Sequence, residues 1–106
     1  MARSVIVAYT PKPGMDAQLL ALVRKHLSVL RAEGLVTDWP GHVMRARDGT
    51  LIEVFEWRSP EAIQAAHTNV AVASLWAEFG AACDYTPLHR LAEAQQMFAE
   101  FDSVEL

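Results

Sequence analysis

Residues 48–67, DGTLIEVFEWRSPEAIQAAH, contain a turn, an apolar strand and the start of a helix in one continuous run. Asp48 and Gly49 form the dipeptide that best tolerates positive φ at both corners of a type I′ turn. This turn joins antiparallel strands tightly, so the pattern predicts a β-hairpin made of residues 41–47 and 50–57. The hairpin anchors the prediction of the rest of the fold.

A short helix is predicted directly after the hairpin. Ser59 offers an N-cap hydroxyl, and Pro60 fits the first helical position, where no amide hydrogen is needed. Glu61 adds negative charge to the first turn, which favours the helix dipole. The helix is expected to end near His67.

Two longer segments show the three- and four-residue spacing of apolar side chains that marks an amphipathic helix. The first covers residues 15–33 and ends before Gly34, which suits the left-handed position after a helix. The second begins after Asn69 and carries Trp76 in its apolar stripe. Cys83, the only cysteine, lies on the inner side of that stripe and is interpreted as a small core residue rather than a nucleophile.

Two further strands complete the pattern. Residues 4–10 are β-branched and apolar, which predicts a strand buried on both faces, and residues 85–91 predict a last strand near an edge of the sheet. The extension at 92–106 is of uncertain structure. The three-residue spacing of Phe98 and Phe101 favours a helical turn that buries against the body or a second subunit.

Composition bounds the function classes. With 106 residues the chain forms one domain, and its 13 acidic and 9 basic residues are spread without blocks, which disfavours nucleic-acid binding. The N-terminal apolar run is too short for a signal sequence or a membrane span, so a cytoplasmic protein without membrane contact is expected. A hydrophobic content of 52% in so short a chain indicates a homodimer. Histidines and cysteines lack metal-site spacing, so no metal is expected.

The order strand, helix, strand, strand, helix, strand is the βαββαβ pattern of a ferredoxin-like α+β fold. Four stretches, IVAYTPKPGM, DGTLIEVFEW, SPEAIQAAH and TNVAVASLWAEF, resemble the antibiotic biosynthesis monooxygenase-like family of dimeric α/β barrels over residues 4–92. The resemblance implies a homodimer in which two sheets form a barrel, and a pocket between each sheet and its helices. It also implies chemistry without a cofactor, because one branch of the family consists of cofactor-independent oxygenases that act on phenolic or anthrone-type compounds. The first strand lacks the asparagine that haem-degrading members have at their site, so haem degradation is disfavoured.

The hairpin supplies the first candidate site residues. A two-residue turn pairs Met44 with Glu53 and His42 with Phe55, which places these four side chains and Trp57 on one face. His42 and Glu53 are then either a general base with a charged partner or an ion pair that satisfies two buried polar groups. Which face of the sheet lines a pocket remains open at this point.

His67 and Trp57 are the candidate catalytic residues. His67 lies four residues after Ile63, so both point from the same helix face, and His67 can border one cavity with Trp57. It is interpreted either as a catalytic base or as a cap for the helix C-terminus. The expected substrate-binding residues are Tyr9, His42, Glu53, Phe55, Trp76 and Phe79.

Two functions follow as hypotheses. The first is a cofactor-independent monooxygenase acting on a small aromatic, quinol or polyketide-like substrate in a cleft between sheet and helices. The second is a protein without enzymatic activity that binds a small hydrophobic ligand or serves as a dimeric scaffold.

Overall fold

The computed structural model describes all 106 residues. The main elements, in chain order, are β1 Arg3–Pro11, α1 Asp16–Ala32, β2 His42–Arg45, β3 Leu51–Trp57, α2 Pro60–Ala66, α3 Val70–Ala82, β4 Cys83–Thr86 and β5 Asp102–Val104. The strands form one antiparallel sheet in the order β4-β1-β3-β2-β5. This arrangement confirms the predicted α+β class and is consistent with a ferredoxin-like fold.

The helices begin and end close to the predicted residues. The Ser59 side chain accepts a hydrogen bond from the Ala62 amide at 3.2 Å, which confirms it as the N-cap of α2. Asn69 caps α3 in the same way, by accepting from the Val72 amide at 3.0 Å. Gly34 follows α1 with a φ of +72°. None of the helices combines the length and apolar character needed to cross a bilayer.

The hairpin turn differs from the predicted one. Three residues, 47–49, connect the strands, and the Ala46 amide donates to the Thr50 carbonyl at 2.8 Å. Within this loop only Gly49 has a positive φ, whereas a type I′ turn needs two such residues. The Asp48 carboxylate accepts from the Thr50 amide at 2.9 Å and holds this longer loop.

The extra loop residue shifts the predicted strand register by one. His42 lies opposite Val54, and Glu53 lies opposite Val43. Because side chains alternate across a strand, His42 and Met44 fall on the face opposite to Glu53. The predicted contact between His42 and Glu53 is therefore wrong.

The sheet has one face covered by helices and one that is covered only in part. Side chains at Val5, Val7, Tyr9, Val43, Glu53, Phe55 and Trp57 point toward α1 and α3. On the outer face, Ile6 is 51% exposed, so the prediction that β1 is buried on both faces is wrong for that residue. The uncovered part of the outer face lies around Ile6, in the N-terminal half of β1.

The chain after α3 also departs from the prediction. The last predicted strand starts earlier, at Cys83, and ends at Thr86, because Pro87 has no amide to donate and a 3-10 turn follows at Leu88–Arg90. The chain then crosses the outer face, where Leu91 packs against Ala8, Ala46 and Ile52.

The extension at 92–106 has structure of its own. It forms a 3-10 turn at Ala92–Gln95 and the short strand β5, which pairs with β2. The predicted helical turn at Phe98 and Phe101 is absent. Phe101 packs against the outer-face cluster as expected, whereas Phe98 is 78% exposed.

Candidate functional site

A cavity of about 440 Å³ lies between the helix-covered face of the sheet and helices α1 and α3. Such a volume falls within the range of pockets that hold small organic ligands. Its lining is almost entirely apolar and aromatic, with no Lys, Arg, Asp or Glu. The lining residues are Val5, Val7, Tyr9, His26, Phe55, Trp57, Trp76, Phe79 and Tyr85.

The structure brings most of the predicted site residues together around this cavity. Five of them line it: Tyr9, Phe55, Trp57, Trp76 and Phe79. Glu53 lies between them on β3, hydrogen-bonded to one lining residue and enclosed by the core.

Glu53 is the centre of the polar part of the site. Its side chain is 1% exposed, and its Oε1 atom accepts a hydrogen bond from the Tyr9 hydroxyl at 2.7 Å. The same oxygen lies 2.7 Å from Nδ1 of His26, which is 4% exposed. Three residues from β1, α1 and β3 thus share one buried contact point.

This contact fixes the tautomer of His26. A carboxylate oxygen only accepts hydrogen bonds, so Nδ1 of His26 carries the hydrogen that it donates to Glu53. In a neutral imidazole, Nε2 then carries the lone pair. Glu53 Oε2 is the only side-chain nitrogen or oxygen that is both fully enclosed and without a hydrogen-bond partner. Nε2 of His26 also has no partner, so it is not fully enclosed and is accessible from the cavity that the ring lines. An oriented proton acceptor therefore faces the cavity.

The surroundings of His26 are aromatic on several sides. The ring centroid lies 5.4 Å from that of Phe55 and 5.1 Å from that of Phe79, both in edge-to-face geometry. Tyr9 packs against Phe79 at 5.0 Å. These contacts restrict the imidazole to one orientation, as a base aimed at a bound molecule requires.

Burial gives the Glu53 carboxylate a strong need for hydrogen-bond donors. An ion that is removed from water loses hydration worth several kcal/mol, and hydrogen-bond donors around the ion must compensate for that loss. Tyr9 and His26 both donate to Oε1, while Oε2 has no partner. The carboxylate is thus only half satisfied, and it is stabilised further when positive charge develops on His26.

Tyr9 is held in its neutral form. Burial raises the pKa of its phenol well above the ordinary value, and the neighbouring Glu53 charge and hydrogen bond raise it further. The hydroxyl therefore acts as a donor to Glu53 and is not free to donate to a ligand. The ring of Tyr9, which is among the expected substrate-binding residues, still lines the cavity.

The two histidines predicted for the site, His42 and His67, lie elsewhere. His42 is exposed on the outer side of the sheet. His67 is exposed at the end of α2, and its Nδ1–H donates to the Ile63 carbonyl at 2.8 Å, which is the capping arrangement considered from the sequence. Its ring packs edge-on against Trp76 at 5.5 Å but does not line the cavity.

His26 is the residue that the sequence reasoning missed. It lies three residues after Val23 and four before Leu30, within the apolar stripe of α1. A histidine in a buried stripe requires a polar partner. That signal was present in the sequence, but the partner, Glu53, lies 27 residues away and belongs to another element.

Cys83 and possible metal ligands add no second reactive centre. Burial raises the pKa of the Cys83 thiol, and its Sγ–H donates to the Phe79 carbonyl at 3.2 Å, as suits a core residue. No group of three histidine, cysteine or carboxylate side chains is placed to hold a metal ion.

The comparisons with known proteins show similarity of fold. The structure is similar to that of Rv0793 from Mycobacterium tuberculosis, with a TM-score of 0.63 and 22% sequence identity over 83% of this chain and 96% of that chain. No protein-family model matches the chain, and no curated protein is a significant match. At this level of identity the likeness establishes the architecture alone.

Replacement of Tyr9 by Phe tests the hydrogen bonds at Glu53. The free energy of unfolding is expected to fall by about 1–3 kcal/mol, because a buried carboxylate loses one of its two donors. The matched control is Tyr85→Phe, which removes a hydroxyl that has no partner and is expected to change stability by less than about 0.5 kcal/mol. Urea denaturation measures both, and equal losses would contradict the assigned role of Tyr9.

Proposed function

We propose that the cavity binds a small neutral aromatic compound with an acidic hydroxyl, and that His26 accepts its proton in a cofactor-independent oxygenation. The observation that carries the proposal is the Nδ1–H···Oε1 contact of 2.7 Å between His26 and Glu53, which leaves Nε2 as a base facing an aromatic cavity. The resemblance to oxygenases that act on phenols and anthrones supports the same reaction class.

The lining decides the chemical class of the ligand. Without a cationic side chain in the cavity wall, a carboxylate or phosphate group on the ligand would lose its hydration without gaining a partner. Faces and edges of Phe55, Trp57, Trp76 and Phe79 instead suit a planar ring system. Phenols, naphthols and quinols combine such a ring with an ionisable hydroxyl, and anthrones gain one in their enol form.

Proton transfer from the ligand completes a charge pair inside the protein. When Nε2 accepts the hydroxyl proton, His26 becomes an imidazolium beside the Glu53 carboxylate. The negative charge on Glu53 is then balanced within hydrogen-bond distance. The ligand becomes an electron-rich phenolate in an apolar cavity, which is the state that reacts with oxygen.

The remaining steps need only O₂ as the second reactant. For 1-naphthol, the phenolate passes one electron to O₂, and the resulting radical and superoxide combine at ring carbon 4. The peroxide anion takes a proton from solvent at the cavity opening and becomes a hydroperoxide. Solvent then removes the hydrogen of carbon 4 as the O–O bond breaks, and the proton held by His26 returns through solvent to the leaving hydroxide. Naphthol and O₂ thus give 1,4-naphthoquinone and water.

Oxygen uptake with 1-naphthol and anthrone tests this function. His26→Gln keeps an amide donor for Glu53 but has no basic nitrogen, so kcat/KM is expected to fall by at least about 100-fold, the usual contribution of a general base. His89→Gln, at an exposed histidine outside the cavity, is the control and is expected to keep the wild-type rate.

Two outcomes would change the assignment. Loss of uptake in His67→Gln together with full activity in His26→Gln would move the base from His26 to His67. No uptake above the spontaneous rate, while 1-naphthol still raises Tm in the wild type, would favour the second candidate, reversible ligand binding. That candidate is favoured by one observation: the Tyr9 hydroxyl is occupied by Glu53 and cannot stabilise a developing oxyanion.

We also propose that the protein is a homodimer joined through the outer face of the sheet. Ile6 on that face is 51% exposed, and Met97 and Phe98 in the C-terminal extension are 94% and 78% exposed. An apolar surface of this kind usually faces a second subunit. The resemblance to dimeric barrels supports the same occupant.

Light scattering at micromolar concentration measures the mass. A value of about twice the chain mass of 11.7 kDa is expected. Ile6→Glu is expected to shift the measured mass toward 11.7 kDa, because burying an unpaired carboxylate between two subunits is unfavourable. The control is Val70→Glu, which places the same charge at an apolar residue at the start of α3 that is 85% exposed and lies away from the outer face of the sheet, and it is expected to keep the dimer mass. A wild-type mass of 11.7 kDa would contradict the dimer.

A further inference from the structure

Tyr85 borders the cavity from the edge of the sheet and plays no part in the contact between His26 and Glu53. It lies on the edge strand β4, opposite Tyr9 in the strand register, and the two rings are 5.6 Å apart. The side chain is 55% exposed, so it forms part of the rim where the cavity meets solvent.

The two tyrosines of the cavity differ in what their hydroxyls do. The Tyr9 hydroxyl donates to Glu53, whereas the Tyr85 hydroxyl makes no hydrogen bond within the chain. Burial of part of the ring, with the neighbouring Cys83 and Glu53, raises the pKa of Tyr85 above its ordinary value. Its hydroxyl therefore keeps its proton at neutral pH and can donate.

His26 and Tyr85 line the cavity from different elements. His26 projects from α1 with its ring 6.5 Å from that of Tyr9, and Tyr85 approaches Tyr9 from β4. A planar ligand that fills the apolar space can thus meet a base from one element and a hydroxyl donor from another. Two such contacts fix the orientation of a ring system that apolar walls alone would leave free to rotate.

We propose that Tyr85 is a specificity-determining residue that donates a hydrogen bond to a carbonyl oxygen of the ligand while the ligand's acidic hydroxyl lies at His26. The ligand class is then an aromatic compound with two oxygen functions, a hydroxyl and a separate carbonyl, such as a hydroxyaryl ketone. This inference rests on the proposed function, since it assumes that the cavity binds an aromatic hydroxyl at His26.

A matched pair of probes separates the two contacts. 1-Naphthol carries the hydroxyl alone, and 4-acetyl-1-naphthol adds a carbonyl at the other end of the same ring. Isothermal titration calorimetry of each probe with wild type and with Tyr85→Phe, under anaerobic conditions so that no probe is oxidised, forms a cycle that isolates the contact between the added carbonyl and the Tyr85 hydroxyl. Phe keeps the ring of Tyr85, so the cavity wall is retained.

Tyr85→Phe is expected to weaken 4-acetyl-1-naphthol about five-fold, the effect of one neutral hydrogen bond, and to leave 1-naphthol within about two-fold of wild type. Equal effects on both probes, or no effect on either, would overturn the role of Tyr85 while leaving the proposed function intact. If the wild type binds neither probe, the proposed function fails, and the role of Tyr85 fails with it. His26→Gln, which removes the shared contact, is expected to weaken both probes.

Discussion

The buried carboxylate of Glu53 is the interaction on which the candidate site depends. It lies on the central strand β3 among apolar and aromatic side chains, and such a position is unfavourable unless donors reach it. Tyr9 and His26 supply them, from a neighbouring strand and from the helix above. The hydrogen bond from His26 to Glu53 Oε1 also fixes the direction of the His26 ring. The need of one buried carboxylate for donors thus produces an oriented base.

The turn at residues 47–49 determines what shares a face with Glu53. Asp48 accepts the Thr50 amide and stabilises a three-residue loop, and the resulting register places Val43 rather than a histidine opposite Glu53. With an apolar neighbour on that side, the carboxylate has donors only from Tyr9 and His26. A one-residue change in the loop would exchange the two faces of β2 while leaving the strands themselves unchanged.

The sequence predicts those parts of the fold that depend on local chemistry. The Ser59 cap, the amphipathic helix at 15–33 and the existence of the hairpin follow from side chains within a few residues of each other. The exact loop length did not follow, because Asp48 forms a local hydrogen bond that competes with the expected turn. His26 was missed for another reason: its partner is distant in the chain, and only the packing of α1 on β3 brings the two together. The predicted aromatic residues therefore line the cavity, whereas His42 and His67 lie outside it and His26, which was not predicted, lines it.

The tautomer of His26 tests the central claim most directly. Nitrogen-15 NMR of the imidazole rings, assigned by comparison with His26→Gln, reports which ring nitrogen carries hydrogen in the protein without ligand. Nδ1 is expected to be protonated and Nε2 to be free, and the Nε2 signal is expected to shift when 1-naphthol is added. A hydrogen on Nε2 in the ligand-free protein would contradict the claim, because the cavity would then face a donor and contain no base.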